Sequence, residues 1–152
     1  METIQITKTL NDDQKLKKNC PYTKLINECL KEACLKNVSD IHFEPYTEGY
    51  FIRFRVHGTL SDWKVFTPTH SEFITNRLKW ILNMDLAIVA EPQDSRASFE
   101  TLGIDIRASS MPVISGGEKI VLRLQHKEQE LTFTDLGLSK SKSEILLEAI
   151  KN

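Results

Sequence analysis

Apolar residues recur at three- and four-residue steps in the segment that follows Pro21, and this spacing predicts a helix with one apolar face. The face is formed by Leu25, Ile26, Cys29, Leu30 and Ala33. Asn37 follows the run as the predicted C-terminal cap of the helix. Residues 1–20 are polar and weakly patterned, and only Ile4 and Ile6 hint at a short strand.

The period of the pattern then changes to two, which predicts strands. In residues 40–44 alternate side chains point to opposite faces, with His42 and Glu44 on the polar one. Further strands are predicted over residues 51–57 and 59–66. Together they form an antiparallel meander with one buried face and one charged face.

Thr69 and Glu72 stand three residues apart, a capping-box spacing that predicts a helix from about Ser71 to Asn83. Alternation returns after Pro92 and predicts three more strands, around Ala97 to Thr101, Ile104 to Ala108 and Ile120 to Leu124.

A linker with four apolar residues follows these strands, and these residues are Leu131, Phe133, Leu136 and Leu138. A last helix begins at Ser139 or Ser141 and includes Ile150. The whole order predicts an α+β fold, with a mainly antiparallel sheet of about six strands and helices packed on one face. We divide the chain into an N-terminal extension or linker (1–22), one domain (23–126), and a linker with its helix (127–152).

The composition agrees with a single globular domain of 152 residues, since 40% of them are hydrophobic and 27% charged. The 20 Lys and Arg residues against 21 Asp and Glu argue against a nucleic-acid binder, which usually carries a basic excess. No apolar run approaches the roughly 20 residues that span a bilayer, and no signal-peptide core is present, so we expect a cytosolic protein. The three cysteines form no C-x-x-C pair, which excludes a zinc knuckle and a thioredoxin-like redox pair.

The polar face of the first hairpin is one place where chemistry could reside, and it carries Asp40, His42, Glu44, Arg53, Arg55 and His57. Cross-strand pairing would place Glu44 near an arginine. His42, Glu44 and His57 are also residue types that bind zinc or manganese, which would make a metal-dependent enzyme. Nothing in the sequence fixes how these three side chains converge in space, so a solvated or interface face is favoured and no metal is expected.

A second set is formed by Arg96, Arg107 and Arg123, on or beside the later strands. By strand parity, Arg96 and Arg107 project from the polar face of the sheet or from its rim. Arginines in such places usually make surface ion pairs. Their planar guanidinium groups can also bind phosphate oxygens bidentately, so both interpretations stay open.

The segment Ser115–Lys119 contains two glycines and superficially suggests a phosphate loop. The G-x-x-x-x-G-K-[ST] spacing is missing, and a hairpin turn explains the segment better. The chain also lacks a G-x-S-x-G elbow, a paired-histidine zinc motif and a dinucleotide fingerprint. It therefore contains no self-sufficient catalytic site.

Five segments, taken in order, resemble the N-terminal domain (N2) that precedes the motor domain in GspE/PilB-type ATPases of type II secretion and type IV pilus assembly. The segments are Val38–Pro45, Ile52–Gly58, Pro92–Arg96, Ile106–Arg107 and Gly117–Leu124. The resemblance runs from about Thr23 to Leu138.

This resemblance implies a PAS-like α+β domain of a cytoplasmic, hexameric ATPase associated with the inner membrane through a platform protein. The family's motor domain supplies the phosphate loop and the Walker B acid, and neither motif occurs in this chain. The chain is therefore expected to be a non-catalytic regulatory and assembly domain, with residues 127–152 leading toward an absent motor domain. ATP and Mg are expected in the parent protein, and no cofactor in this fragment.

The resemblance also implies a site. In the family, the arginines of P-Q-D-x-R and D-x-R approach the terminal phosphate of ATP held by the motor domain, and they match Arg96 and Arg107. Arg53, Arg55 and Glu44 would form a supporting polar face. The implied partners are the motor domains of the same and neighbouring subunits and the inner-membrane platform protein, with no nucleic acid.

A free-standing PAS-like module that senses a small ligand or binds a protein partner is the alternative. It would need an apolar cavity among Phe54, Trp63, Phe73 and Trp80, which the hydrophobic pattern otherwise assigns to ordinary packing.

Overall fold

The computed structural model describes residues 11–127 and 137–151. Its helices are α1 (Asp12–Leu16), α2 (Pro21–Leu35), α3 (Ser71–Ile81) and α4 (Lys140–Lys151). Its strands are β1 (Asp40–Pro45), β2 (Tyr50–Val56), β3 (Thr59–Phe66), β4 (Gln93–Phe99), β5 (Ile104–Pro112) and β6 (Glu118–His126). Two short 3-10 turns, Pro68–His70 and Glu100–Leu102, precede α3 and follow β4.

The strands form one six-stranded sheet in the order β3-β2-β1-β6-β5-β4, and each neighbouring pair is antiparallel. Each half of the sheet is a meander of consecutive strands. The two meanders join where β1 pairs with β6, so residues 40 and 123 become neighbours. The predicted α+β fold with a six-stranded antiparallel sheet is confirmed.

The core lies between one face of this sheet, the covered face, and the helices α1, α2 and α3. The sheet contributes alternate residues such as Ile41, Phe43, Tyr50, Ile52, Phe99, Ile104, Ile106, Ile120 and Leu122. The helices contribute Leu16, Ile26, Cys29, Leu30, Ala33, Ile74, Leu78 and Ile81. Alternation along the strands sends the remaining, mostly polar side chains to the opposite face, which we call the open face.

Helix α1 is an element that the sequence pattern did not predict. Asn11 begins it with a capping box, and two carboxylates of its first turn then reach the end of β4. Asp12 accepts a hydrogen bond from the backbone N–H of Ser98 at 2.8 Å, and Asp13 accepts one from the Thr101 hydroxyl at 2.6 Å. These bonds fix α1 to the edge strand. The strand suggested by residues 4–6 lies outside the described residues, and the domain boundary after residue 22 stays a prediction.

The start of α3 differs from the prediction. The Thr69 hydroxyl lies 2.9 Å from the Thr67 hydroxyl, and no side chain caps the helix. The predicted capping box is therefore wrong, because the 3-10 turn before the helix places His70 at the cap position.

Thr101 is also not in a strand, since β4 ends at Phe99 and the chain turns into a 3-10 segment. The reversal between β2 and β3 is formed by His57 and Gly58, whose φ angles of 48° and 81° suit a tight hairpin turn. Helix α2 ends at Leu35 with Lys36 at its C-cap, and the predicted cap Asn37 follows one residue later with a φ of 51°. The linker residues Leu131, Phe133 and Leu136 lie outside the described part of the chain. Among the described helices, none is long and apolar enough to cross a membrane.

Candidate anion-binding surface

The register of the sheet aligns five charged residues in one row across the open face. Arg96 of β4 pairs with Arg107 of β5, and Arg107 pairs with Arg123 of β6. Arg123 in turn pairs with Asp40 of β1, and Asp40 with Arg55 of β2. We call this set the arginine row. Directly paired residues have Cβ atoms about 4.5–5.5 Å apart, so Arg96 and Arg107 are nearest neighbours.

The two ends of the arginine row differ in how their charges are balanced. Asp40 accepts from Arg123 Nε at 3.3 Å, and its other oxygen lies 3.7 Å from Arg55 Nε. Arg55 also donates from Nη1 to the Gly58 carbonyl at 3.2 Å. In contrast, within residues 11–127 and 137–151, no acidic side chain lies within ion-pairing distance of Arg96 or Arg107.

Three like charges in register are unfavourable for a sheet, because side chains directly opposite each other repel. Arg96, Arg107 and Arg123 are all exposed, and water screens part of this repulsion. An anion placed between the guanidinium groups would offset the repulsion that remains. Guanidinium forks match the geometry of phosphate and carboxylate oxygens, so the row can chemically bind a phosphate group.

Shallow depressions flank the Arg96–Arg107 pair on both sides, with volumes of about 350 and 370 Å³. Asp12 and Asp105 line the first depression and Asp94 lines the second, and each of these carboxylates accepts a hydrogen bond from a serine. Ser109 Oγ donates to Asp94 at 2.7 Å, and Ser98 Oγ donates to Asp105 at 2.6 Å. These hydrogen bonds keep the carboxylates beside Arg96 and Arg107, without an ion pair to either guanidinium group.

The start of β4 is fixed by Gln93, the second residue of the P-Q-D-S-R segment. Its amide oxygen accepts from the Asp85 backbone N–H at 2.9 Å, and its amide nitrogen donates to the carbonyls of Asp85 at 2.9 Å and Ile88 at 3.0 Å. The loop before β4 is thus bonded to its first residue, three positions before Arg96.

A buried ion pair on the covered face supports the same loop. Lys79 Nζ lies 2.9 Å from a carboxylate oxygen of Glu118 and donates to the Ile88 carbonyl at 2.6 Å. Ser110 Oγ donates to Glu118 at 3.2 Å. Sequence reasoning missed this cluster, although a lysine on the apolar side of a helix, between Thr75 and Leu82, is an available signal.

The three residues predicted as a supporting polar face, Arg53, Arg55 and Glu44, all form ion pairs. Arg53 Nε lies 3.1 Å from Asp62 and 3.5 Å from Glu44, and Glu44 also pairs with Lys119. The predicted proximity of Glu44 to an arginine is therefore confirmed. Arg55 belongs to the arginine row, whereas Arg53 lies in the next row, opposite His42.

His42 occupies the middle of the open face and is nearly buried by its neighbours. Burial lowers the pKa of His42, and the nearby Glu44 carboxylate partly opposes this effect. His57 lies in the turn after β2. Among the described side chains there is no group of three or more His, Cys, Asp or Glu residues that could hold a metal ion.

The four aromatic residues considered for a ligand cavity make packing and surface contacts. Phe54 stacks on Trp63 with ring centroids 5.3 Å apart, and the Trp63 indole donates to Glu32 at 2.7 Å. Phe73 is 59% exposed. A third depression of about 800 Å³ lies at the end of the sheet, beside Tyr46, Leu86 and Gly117, and none of the four aromatic side chains lines it or the other two.

Comparison with known proteins gives a consistent set of similarities. The family model of the type II/IV secretion system proteins matches residues 15–152. The chain is 36% identical over 128 residues to the protein transport protein HofB homolog of Haemophilus influenzae, which covers 82% of this chain and 27% of that protein. It is 35% identical over 138 residues to the type II secretion system protein E of Pseudomonas aeruginosa, with 88% and 27% covered.

A third relative is the type IV pilus assembly ATPase PilB of Myxococcus xanthus, 35% identical over 141 residues, with 89% of this chain and 24% of the relative covered. The chain thus spans about a quarter of the length of the curated relatives that it matches.

Proposed function

The chain belongs to the family of type II/IV secretion system proteins, and on this basis we propose that it is a regulatory and assembly domain of a type II secretion or type IV pilus assembly ATPase. In this role it presents Arg96 and Arg107 to the terminal phosphate of ATP, which the motor domain of a hexameric ATPase holds together with Mg. The domain itself carries out no catalysis.

The observation that supports this role is the placement of Arg96 beside Arg107 on the open face, with no acidic partner for either among the described residues. In phosphoryl transfer, negative charge accumulates on the oxygens of the transferred group, and positive charge placed there accelerates the reaction. Two unpaired guanidinium groups on a rigid sheet are well suited to that task, because no ion pair has to break before they bind.

The rest of the open face supports the two arginines. Arg53, Arg55 and Glu44 are held in ion pairs that order the centre of the sheet. We propose the motor domains of the same and neighbouring subunits as partners, since the arginines must meet a nucleotide that this chain has no phosphate loop to hold. We also propose that the parent ATPase contacts an inner-membrane platform protein from the cytoplasmic side of the membrane.

The test is ATP hydrolysis by the full-length ATPase carrying Arg96→Ala or Arg107→Ala. We expect hydrolysis to fall by about 10²–10³-fold, because each change removes one donor to a developing charge. Nucleotide binding should stay within about twofold, because the motor domain holds the nucleotide. Arg77→Ala is the matched control, since Arg77 lies on α3 over the Trp80 ring. Wild-type turnover in both variants would contradict the assignment.

For the chain of 152 residues alone, we expect no ATPase activity and only feeble nucleotide binding. Calorimetry that gave a micromolar Kd for ATP would contradict this expectation. The alternative of a ligand-sensing module is not favoured, because Phe54 stacks on Trp63, Phe73 is exposed, and the three depressions described above are lined by other residues.

A further inference from the structure

Arg123 is the third arginine in register on the open face, directly opposite Arg107. Its side chain is 70% exposed, and its only ion-pair partner among the described residues is Asp40, at 3.3 Å from Nε. Because the Arg123 side of this pair is open to water, the pair adds little to stability and Arg123 can leave it at little cost.

Asp40 does not depend on Arg123 for its own hydrogen bonding. Its carboxylate also accepts from the Ser39 hydroxyl at 2.9 Å and lies 3.7 Å from Arg55 Nε, both on the oxygen that Arg123 does not contact. The carboxylate is only 13% exposed and is fixed in place by these neighbours. When Arg123 turns away, Asp40 therefore keeps a donor and a positive partner, and no buried charge is left alone.

We propose that Arg123 is a third phosphate-binding arginine, which exchanges the Asp40 carboxylate for phosphate oxygens when a chain of phosphates lies along the arginine row. This inference rests on the proposed function of Arg96 and Arg107 and extends it. The backbones of β4 and β6 lie two strand spacings apart, about 9–10 Å. An extended triphosphate spans this distance better than a shorter anion does. The row then discriminates triphosphate from diphosphate through Arg123.

The test is an NMR titration of the 152-residue chain with inorganic tripolyphosphate and with pyrophosphate at low ionic strength, followed through the arginine side-chain N–H signals. Low ionic strength is needed because salt screens exposed charges. We expect Arg123→Gln to weaken tripolyphosphate binding by about 3–5-fold, the upper range for one solvent-exposed ion pair, and to leave pyrophosphate binding within about twofold.

Two further variants separate a phosphate contact from a structural role. Asp40→Asn should strengthen tripolyphosphate binding by about 2–3-fold, because it removes the competing carboxylate charge. Arg123→Lys should restore part of the loss, because it keeps the charge without the planar fork. Arg77→Gln, on the other side of the molecule, should change neither affinity.

The outcomes distinguish the inference from the function on which it rests. If Arg96→Gln and Arg107→Gln weaken tripolyphosphate binding while Arg123→Gln does not, the role of Arg123 is refuted and the other two arginines keep theirs. An equal loss for both anions in Arg123→Gln would refute discrimination by length. If tripolyphosphate shifts no arginine signal of the wild-type chain, the inference fails as a whole, and the hydrolysis assay on the full-length ATPase still decides the proposed function.

Discussion

The two faces of the sheet differ in whether their charged side chains have partners of opposite charge. On the covered face, Lys79 and Glu118 are almost completely buried, and each finds its partners within the cluster that also includes Ser110 and the Ile88 carbonyl. On the open face, Arg96 and Arg107 stand side by side in water with no acidic side chain paired to them in the described part of the chain. The difference separates charges that stabilise the fold from charges that remain available for a ligand.

The open face itself contains both kinds. Around β1 and β2, Glu44 is shared by Arg53 and Lys119, and Asp40 by Arg55 and Arg123. Toward β4 and β5, Asp94 bonds to Ser109, and Asp105 bonds to Ser98 and lies 3.8 Å from Lys127 Nζ, so neither carboxylate pairs with Arg96 or Arg107. The positive charge without a partner is therefore concentrated at one end of the arginine row. Substitutions at these positions should change the free energy of unfolding by different amounts and with different signs, and these differences test the contrast.

The largest effect is expected at Lys79 on the covered face. Lys79→Met should lower the free energy of unfolding by about 3–5 kcal/mol, because it leaves the Glu118 carboxylate buried without its cation. Urea denaturation at neutral pH measures the change. Adding Glu118→Gln to the variant should recover part of the loss. Lys64→Met is the control, since Lys64 forms an exposed pair with Glu28 at 3.5 Å, and it should cost less than about 1 kcal/mol. A similar cost for both lysines would contradict the contrast.

An intermediate effect is expected at Glu44, at the centre of the paired region of the open face. The Glu44 side chain is 8% exposed and balances Arg53 and Lys119. Glu44→Gln should lower the free energy of unfolding by about 1–2 kcal/mol, because Arg53 keeps Asp62 and only part of the balance is lost. The same denaturation assay applies, with the exposed Glu28→Gln as its matched control. An unchanged midpoint would mean that this network does not stabilise the sheet.

The smallest effect on stability is expected in the unpaired region. Arg96→Gln should leave the free energy of unfolding within about 0.5 kcal/mol of the wild type, with any change toward higher stability. The reason is that the substitution relieves repulsion from Arg107 and breaks no ion pair among the described residues. A loss above about 1 kcal/mol in thermal or urea denaturation would show that Arg96 is a structural residue.

Much of the fold follows from local patterns that a single sequence contains. The period of two in β1, β2, β5 and β6, and the apolar face of α2, predicted the elements close to their observed bounds. The failures have local causes as well. Helix α1 has only five residues and one apolar residue, Leu16, in the core, which is too short for a hydrophobic period. At Thr69, a capping-box spacing was present, but the hydroxyl contacted Thr67 instead.

The site could be predicted only in part. Strand parity placed Arg96 and Arg107 on the polar face, and the resemblance to a family selected them. The register that makes them neighbours, and that brings Arg123 and Asp40 into the same row, depends on the pairing of β1 with β6. That pairing joins segments far apart in sequence, and no local pattern encodes it. The Lys79–Glu118 pair escaped prediction for the same reason.

The central position of β1 also has a consequence for biosynthesis. One edge of β1 can pair with β2 at once, but the other edge has no partner until β6, which begins at Glu118, has been made. At about 5–20 residues per second, the ribosome leaves that edge open for roughly 4–15 s. An open strand edge is a template for aggregation.

The sequence of β1 limits this hazard. Asp40, His42 and Glu44 alternate with its apolar residues, and Pro45 ends it. Charges and proline at such positions act as gatekeepers against edge-to-edge pairing of nascent chains. The polar side chains that later lie at the centre of the open face thus protect the chain before the sheet is complete. Any variant that makes β1 more apolar should therefore lower the soluble yield on expression, even where the finished fold would accept it.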